Sequence, residues 1–305
     1  MTLGEATTLF RETLVQRNYS DSTKVGYRKH LDAFFSWLGD GADTRPITSI
    51  TKHEIERFQD HLAEGALAKQ TQAVRIRAIK RFFEMLVDRG HLFVSPARSI
   101  VETPVGMKTL PEVLTVAEVK RMLATPDTST KIGIRDRAVL ELLYDTGMRR
   151  GELAGLDLGD VDLDGGTVKI RSGKGRIGRL APLGQEASRW LSAYLKEARP
   201  ALAKNDGTNR ALFLSKIGTR LDPELVRRTV KLAARAAKIE KRVYTHTLRH
   251  SVATHLVQNG ADIVTVQKLL GHATAATTSA IYTRVAPVEL KRAHQKTHPR
   301  EREKL

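Results

Sequence analysis

Residues 161–182 read Val161-Asp-Leu-Asp-Gly-Gly-Thr167-Val-Lys-Ile-Arg171-Ser-Gly-Lys-Gly175-Arg-Ile-Gly-Arg179-Leu-Ala-Pro182, and they interrupt a chain otherwise patterned for helices. Runs rich in valine and isoleucine, bounded by glycine clusters, predict short strands joined by glycine turns, hence one small antiparallel sheet. Upstream, Thr115-Val-Ala-Glu118 has the form of a capping box, and residues 134–144 form an apolar run that predicts a buried helix. Downstream, helical periodicity resumes at about Gln185, breaks near residues 212–221 and continues almost to the end. Residues 112–305 therefore read as a mixed α+β domain, mainly helical with one small sheet.

The preceding hundred residues show helical patterning only. After the polar start Ser20-Asp-Ser-Thr23, the residues Tyr27, Leu31, Phe34, Phe35 and Leu38 fall on one face. Thr51-Lys-His-Glu54 is a second capping box, opening a helix that turns Ile55, Phe58 and Leu62 inward. A third helix over residues 70–88 buries Val74, Ile76, Ile79, Phe82, Phe83 and Leu86. It also carries Lys69, Arg75, Arg77, Lys80 and Arg81, which serve equally well as a solvated face or as a set of DNA contacts. Gly90 and Ser95-Pro96 close this bundle, so a helical domain over 1–98 and a linker over 99–111, broken by Pro104, Gly106 and Pro111, are expected.

Lysine and arginine outnumber aspartate and glutamate by 51 to 34. The excess is uneven: residues 1–98 hold 15 basic and 12 acidic side chains, and residues 99–305 hold 36 and 22. A field of this sign favours a polyanionic partner bound through phosphates. With no cysteine in the chain, a disulfide scaffold, a thiolate metal site and a cysteine nucleophile are excluded. No signal-peptide pattern and no apolar run of membrane-spanning length appears, so a cytoplasmic protein without membrane contact is expected.

Four stretches carry candidate chemistry. Thr146-Gly-Met-Arg-Arg-Gly-Glu-Leu153 sets two arginines between a buried helix and a glycine, where a guanidinium fork fits two phosphate oxygens. The same pattern suits an ordinary turn with surface arginines. Glu152, three residues after Arg149, is placed to orient it. Lys174 lies between glycines in a strand turn. The surrounding residues do not make a nucleotide loop, since Gly175 stands where the serine or threonine belongs. His246 and Arg249 share a helix face. His246 and His250 are also four apart, but no cysteine and no His-Glu-x-x-His frame supports a metal site. The stretch from Ala253 through Gly260 to Leu269 has the apolar spacing of a helix-turn-helix, which leaves a pure DNA-binding module open. Last come Leu270-Gly271-His272 and Tyr282, one of six tyrosines. An arginine to hold a phosphate, histidines to handle protons and a downstream tyrosine to attack are together what phosphoryl transfer to a tyrosine hydroxyl requires.

In this order, these stretches resemble the tyrosine recombinase (phage integrase) family, most nearly its Xer-type members, over almost the whole chain. The resemblance implies a helical SAM-like DNA-clamping domain, followed by a catalytic domain that begins near Leu110-Pro-Glu-Val-Leu-Thr115 and ends in a tail with His298-Pro-Arg300. It implies that Arg149 and Arg249 are the catalytic arginines, with Glu152 in support. It also implies that Lys174 is the general acid, His246 a general base or shuttle, His272 the second histidine and Tyr282 the nucleophile. Cleavage then leaves a 3′-phosphotyrosyl bond, religation needs neither metal nor ATP, and no cofactor is expected. Two such exchanges through a Holliday junction resolve dimers or move an element. The partners implied are double-stranded DNA and a homotetramer built by C-terminal tail exchange, with or without a second recombinase. Val285, Val288, Leu290 and Ala293 form the amphipathic pattern of such a tail. His272 and Tyr282 are ten apart, where relatives are expected to have nine. One extra residue turns a helix by about 100°, so residues 273–280 are expected to absorb it in a loop or bulge. A catalytically silent DNA binder and a topoisomerase of type IB remain the alternatives; the complete set of expected catalytic residues argues against the first.

Overall fold

The computed structural model describes residues 1–104, 112–171, 177–204, 208–271 and 295–299. Lys174, His272, Tyr282, residues 273–280 and the tail pattern over 285–293 lie outside the described residues. The chain divides into two compact units, Met1–Thr109 and Leu110–Leu305.

The first unit contains α1 (Leu3–Gln16), α2 (Asp21–Leu38), α3 (Lys52–Glu64) and α4 (Lys69–Asp88). The starts of α2 and α3 fall where the caps predict. Ser20 accepts the Thr23 amide, and Thr51 and Glu54 exchange both capping-box bonds. Each cap satisfies an amide that the helix itself leaves open, a contribution of about 1 kcal/mol. The N-terminal α1 opens on the same signature, Thr2-Leu-Gly-Glu5, and its Phe10 stands edge-on to Tyr27 and Phe82 at 5.4 and 5.6 Å. Leu31, Phe34, Ile55, Phe58, Ile76, Ile79, Phe82 and Phe83 close the core, whereas Tyr27, Leu38 and Val74 ride its edge half-buried. Part of the expected linker packs here as well. Ile100 is buried in this core, its carbonyl accepts from Lys80 Nζ at 2.8 Å, and Glu102 pairs with Arg77 at 2.5 Å.

The second unit is mainly helical around α6 (Lys131–Thr146), whose residues are buried continuously from Ala138 to Thr146. A helix buried on all sides belongs inside a domain. Its two buried carboxylates are compensated, Glu141 by Arg137 at 2.8 Å and Asp145 by the Gly184 amide at 2.8 Å. Around it lie α5 (Val116–Leu123), capped by Thr115 and Glu118, and the short α7 (Arg150–Ala154). The sheet follows in the order β1 (Val161–Asp162), β2 (Thr167–Arg171), β3 (Ile177–Pro182), antiparallel throughout, with Val168 opposite Ala181 and Ile170 opposite Arg179. Next come α8 (Gln185–Ala193), α9 (Arg199–Ala203), α10 (Pro223–Ala236), α11 (Thr245–Gln258) and α12 (Ile263–Leu270).

Tyr144 of α6 and His255 of α11 lock two of these helices together. The Leu114 carbonyl can only accept, so His255 Nε2 donates to it at 2.8 Å, and Nδ1 is left to accept from the Tyr144 hydroxyl at 2.9 Å. Burial holds the His255 pKa below its ordinary value against the opposing Leu114 bond, which keeps the ring neutral. On the other side of Tyr144, the tail residue His298 is fully buried. Its ring lies 5.1 Å from that of Tyr144, and its Nε2 donates to the Tyr144 carbonyl at 3.2 Å. Asn259 Nδ2 donates to the Thr297 carbonyl at 2.8 Å, so the described end of the tail seats on its own unit.

Candidate active site

Three helix ends build the site. The helix α6 stops at Gly147 in the left-handed region (φ +58°), and α12 stops at Gly271 in the same way (φ +65°). Arg149 caps the start of α7. A Cβ on Gly147 would lie 2.3 Å from Leu270 Cδ2, and one on Gly271 would lie 2.8 Å from Arg179 Nη1. The two glycines therefore permit both the backbone conformation and the close approach of the two helix ends.

Arg249, on the inner face of α11, is buried and bridges those ends, donating to the Gly147 carbonyl at 2.6 Å and the Leu270 carbonyl at 2.5 Å. Arg149 Nη2 donates to the next carbonyl, that of Gly271, at 3.2 Å. Two guanidinium groups thus converge on the end of α12, immediately before His272. Burial, then the charges of Arg149 and Arg179, bring the Arg249 pKa down to about 10, so it stays cationic at neutral pH. His246 stands at the exposed rim one turn earlier on α11. Desolvation, followed by the charges of His250, Arg249, Arg149 and Arg150, lowers its pKa below the usual imidazole value. At neutral pH it is an uncharged proton acceptor.

Glu152 organises the cluster. It accepts from the Arg149 amide at 2.8 Å and from Arg149 Nη1 at 2.9 Å, as the spacing of three suggests. It also accepts from Arg179 Nη1 at 3.3 Å and Nη2 at 3.0 Å. Burial by itself would raise its pKa, but the hydrogen bonds and charges of Arg179 and Arg149 outweigh that and hold it low. Arg149, Arg179 and Arg249 against one carboxylate leave a formal charge of three minus one, or +2. A cluster with that excess is suited to a phosphodiester and to the further charge that develops as it is attacked.

Arg179 joins this cluster, although strand patterning alone does not single it out. In the structure the alternation is inverted: Arg179 (8 % exposed) and Ala181 (0 %) face inward, while Leu180 (39 %) faces out. A strand that buries its arginine and exposes its leucine calls for an internal carboxylate.

The other predicted residues are dispersed. Lys69 is exposed, and Arg75 lies near His30. Arg77 is engaged by Glu102, Lys80 by the Ile100 carbonyl and Arg81 by Glu84. A second basic surface, also unassigned by the sequence patterning, runs along α10. Arg227, Arg228, Lys231 and Arg235 line a groove of about 630 Å³, and Arg150 reaches Glu224 at its start at 3.5 Å. The helix-turn-helix spacing corresponds to α11, a turn over 259–262 and α12, but the C-terminal end of α12 presents its carbonyls to Arg249 and Arg149. Among the described residues, no helix is long and apolar enough to cross a membrane.

Comparison with known proteins places the chain in a family. The phage integrase family matches residues 112–289, and the N-terminal SAM-like domain of phage integrases matches residues 8–90. The chain is 38% identical over 298 residues to tyrosine recombinase XerD of Bifidobacterium longum, covering 94% of both chains. It is 40% identical to tyrosine recombinase XerC 2 of Ralstonia nicotianae, over 94% of this chain and 84% of that one. In fold it is similar to the XerH recombinase bound to its difH substrate (TM-score 0.68, 23% identity, 94% of this chain and 82% of that one). The λ integrase dimer on a core site is also similar (TM-score 0.67, 20% identity, 90% and 96%). The chain belongs to the phage integrase family and is a site-specific tyrosine recombinase of the Xer type, an enzyme of DNA cleavage and rejoining.

Proposed function

We propose that this recombinase cleaves each strand by in-line attack of the Tyr282 hydroxyl oxygen on a DNA phosphorus. The new bond is a 3′-phosphotyrosyl ester, and the bond that breaks is P–O5′. The observation that carries this is the convergence of Arg149 and Arg249 on the carbonyl ends of α6 and α12, directly before His272. The two guanidinium groups neutralise the non-bridging oxygens, and Glu152 orients Arg149. Neutral His246 takes the tyrosine proton, Lys174 delivers one to the leaving 5′-oxygen, and His272 holds a phosphate oxygen or the tyrosine. The ester conserves the energy of the broken bond, so rejoining to another strand, by way of a Holliday junction, needs no ATP and no metal.

In this reading residues 1–98 grip the duplex, 99–111 connect, and 112–305 carry the chemistry. The basic side chains of α4 and the exposed cations of α10 supply phosphate contacts. The assembly on DNA is a homotetramer in the cytoplasm. Its protomers exchange tails, with the Tyr144–Asn259 seat that holds Thr297 and His298 receiving a neighbour's tail end in place of the chain's own.

The test is covalent trapping on nicked suicide fragments drawn from the host locus, comparing wild type with Tyr282→Phe. An adduct that resists denaturation, is lost on proteolysis and forms only with wild type is expected. Specific binding without any adduct would favour a silent DNA binder, and an adduct with Tyr282→Phe would remove the nucleophile assignment.

A further inference from the structure

The reaction scheme above gives Arg179 no part, yet its side chain is only 6% exposed and takes both oxygens of Glu152. Its guanidinium also lies against Gly271, close enough that a Cβ there would meet Nη1 at 2.8 Å and Cζ at 3.3 Å. Gly271 is the residue whose carbonyl receives Arg149. Arg179 thus touches both groups that hold Arg149 in place. Among the described residues, its buried Nε has no hydrogen-bond partner.

Charge sharpens the point. With Arg149 as its sole counterion, Glu152 would cancel the positive charge of Arg149 at the phosphate. A second guanidinium on the same carboxylate takes up that negative charge and leaves Arg149 to act on the substrate. We propose that Arg179 is a positioning residue for strand cleavage: it neutralises Glu152 and wedges against Gly271, so that Arg149 meets the scissile phosphate with its charge intact. The inference rests on the assignment of Arg149 and Arg249 as phosphate ligands. A merely architectural ion pair would behave differently, because its loss would slow cleavage of a charged and a neutral phosphate alike.

The experiment measures single-turnover adduct formation by the full-length chain on the suicide DNA that traps wild type. A matched DNA carries a neutral methylphosphonate at the scissile position, and DNA affinity and thermal unfolding are recorded for every variant. Arg179→Met is expected to slow adduct formation by about 10²-fold, with DNA affinity changed less than about 3-fold. On the methylphosphonate, which needs less cationic help, the reduction is expected to shrink below about 5-fold. Adding Glu152→Gln to Arg179→Met removes the charge left uncompensated and is expected to restore much of the rate. If Arg179→Met fails to fold, Arg179→Gln and Arg179→Lys carry the same comparison, lysine retaining the rate and glutamine losing it. Equal reductions on both substrates with no recovery by Glu152→Gln would overturn the proposal. Arg149→Ala runs alongside. Wild-type cleavage by that variant would mean the phosphate-site reading has failed, whereas an inactive Arg149→Ala with an unimpaired Arg179→Met would sink the Arg179 role alone.

Discussion

Replacing Gly147 by alanine should strike fold and site together. Gly147 ends α6 with φ +58°, a conformation that costs an L-residue about 1–2 kcal/mol. The new Cβ would sit 2.3 Å from Leu270 Cδ2 and 3.6 Å from Val252 Cγ1. Carbon atoms pack at about 3.5–4 Å, so fully buried Leu270 must retreat by roughly 1 Å or more. Overpacking of this kind costs about 1–3 kcal/mol. The two effects together predict a destabilisation of about 2–5 kcal/mol. The chain has two tryptophans, Trp37 in the first unit and Trp190 in the second, where Trp190 stacks under Arg137 at 4.8 Å. Urea unfolding followed by Trp190 fluorescence in a Trp37→Phe background therefore reports the second unit by itself. In a cycle with Leu270→Ala the clash disappears, and the cost of Gly147→Ala should fall to its backbone part, a coupling of about 1–3 kcal/mol. Because the Leu270 carbonyl receives Arg249, adduct formation should fall as well. A cost below about 1 kcal/mol, or a coupling of zero, would refute the packing described for these helix ends.

Arg249→Lys keeps the charge but cannot reach the Gly147 and Leu270 carbonyls together while facing a phosphate. Adduct formation should fall about 10²–10³-fold with DNA affinity nearly unchanged, measured by trapping and by equilibrium binding. Changing Arg228 and Lys231 of α10 to glutamine should weaken binding to all sequences. It should lower the slope of log K against log salt by about 0.9 for each phosphate no longer neutralised, read by titration at several salt concentrations. His255 has a folded pKa below its unfolded value of about 6.5, so the unfolded chain binds the proton first. Its stabilising effect is present above that value and declines as pH falls through the folded pKa, by at most about 1.4 kcal/mol per pH unit. Unfolding midpoints between pH 5 and 8 should fall less steeply for His255→Asn than for wild type.

Much of the architecture was legible locally. The Thr51/Glu54 and Thr115/Glu118 boxes start helices where the sequence places them, because a cap needs only residues three apart. The glycine-bounded runs form the small antiparallel sheet, and the apolar stretch over 134–144 is the core of α6. Arg149 with Glu152, and His246 with Arg249, were recoverable because each pair lies within one helical turn. Tertiary packing altered other expectations. Residues 99–102, read as linker, fold back on α4 through Ile100 and Glu102. Of the α4 cations, left open between a solvated face and DNA contacts, Arg77, Lys80 and Arg81 also have internal partners.

Sequence by itself determined the capped helices, the sheet, the candidate chemistry and the family, since those depend on periodicity, caps and a motif order that survive without a fold. Only the tertiary structure decided how the charges are shared. Arg249 finds the Gly147 carbonyl 102 residues away, Arg149 finds Gly271 122 residues away, and Arg179 reaches Glu152 across 27. No local pattern encodes those distances. They follow from the packing of α12 against α11 and β3 and of α7 against α6 and β2, where a buried guanidinium must find its carbonyl or carboxylate or lose the hydration it gave up.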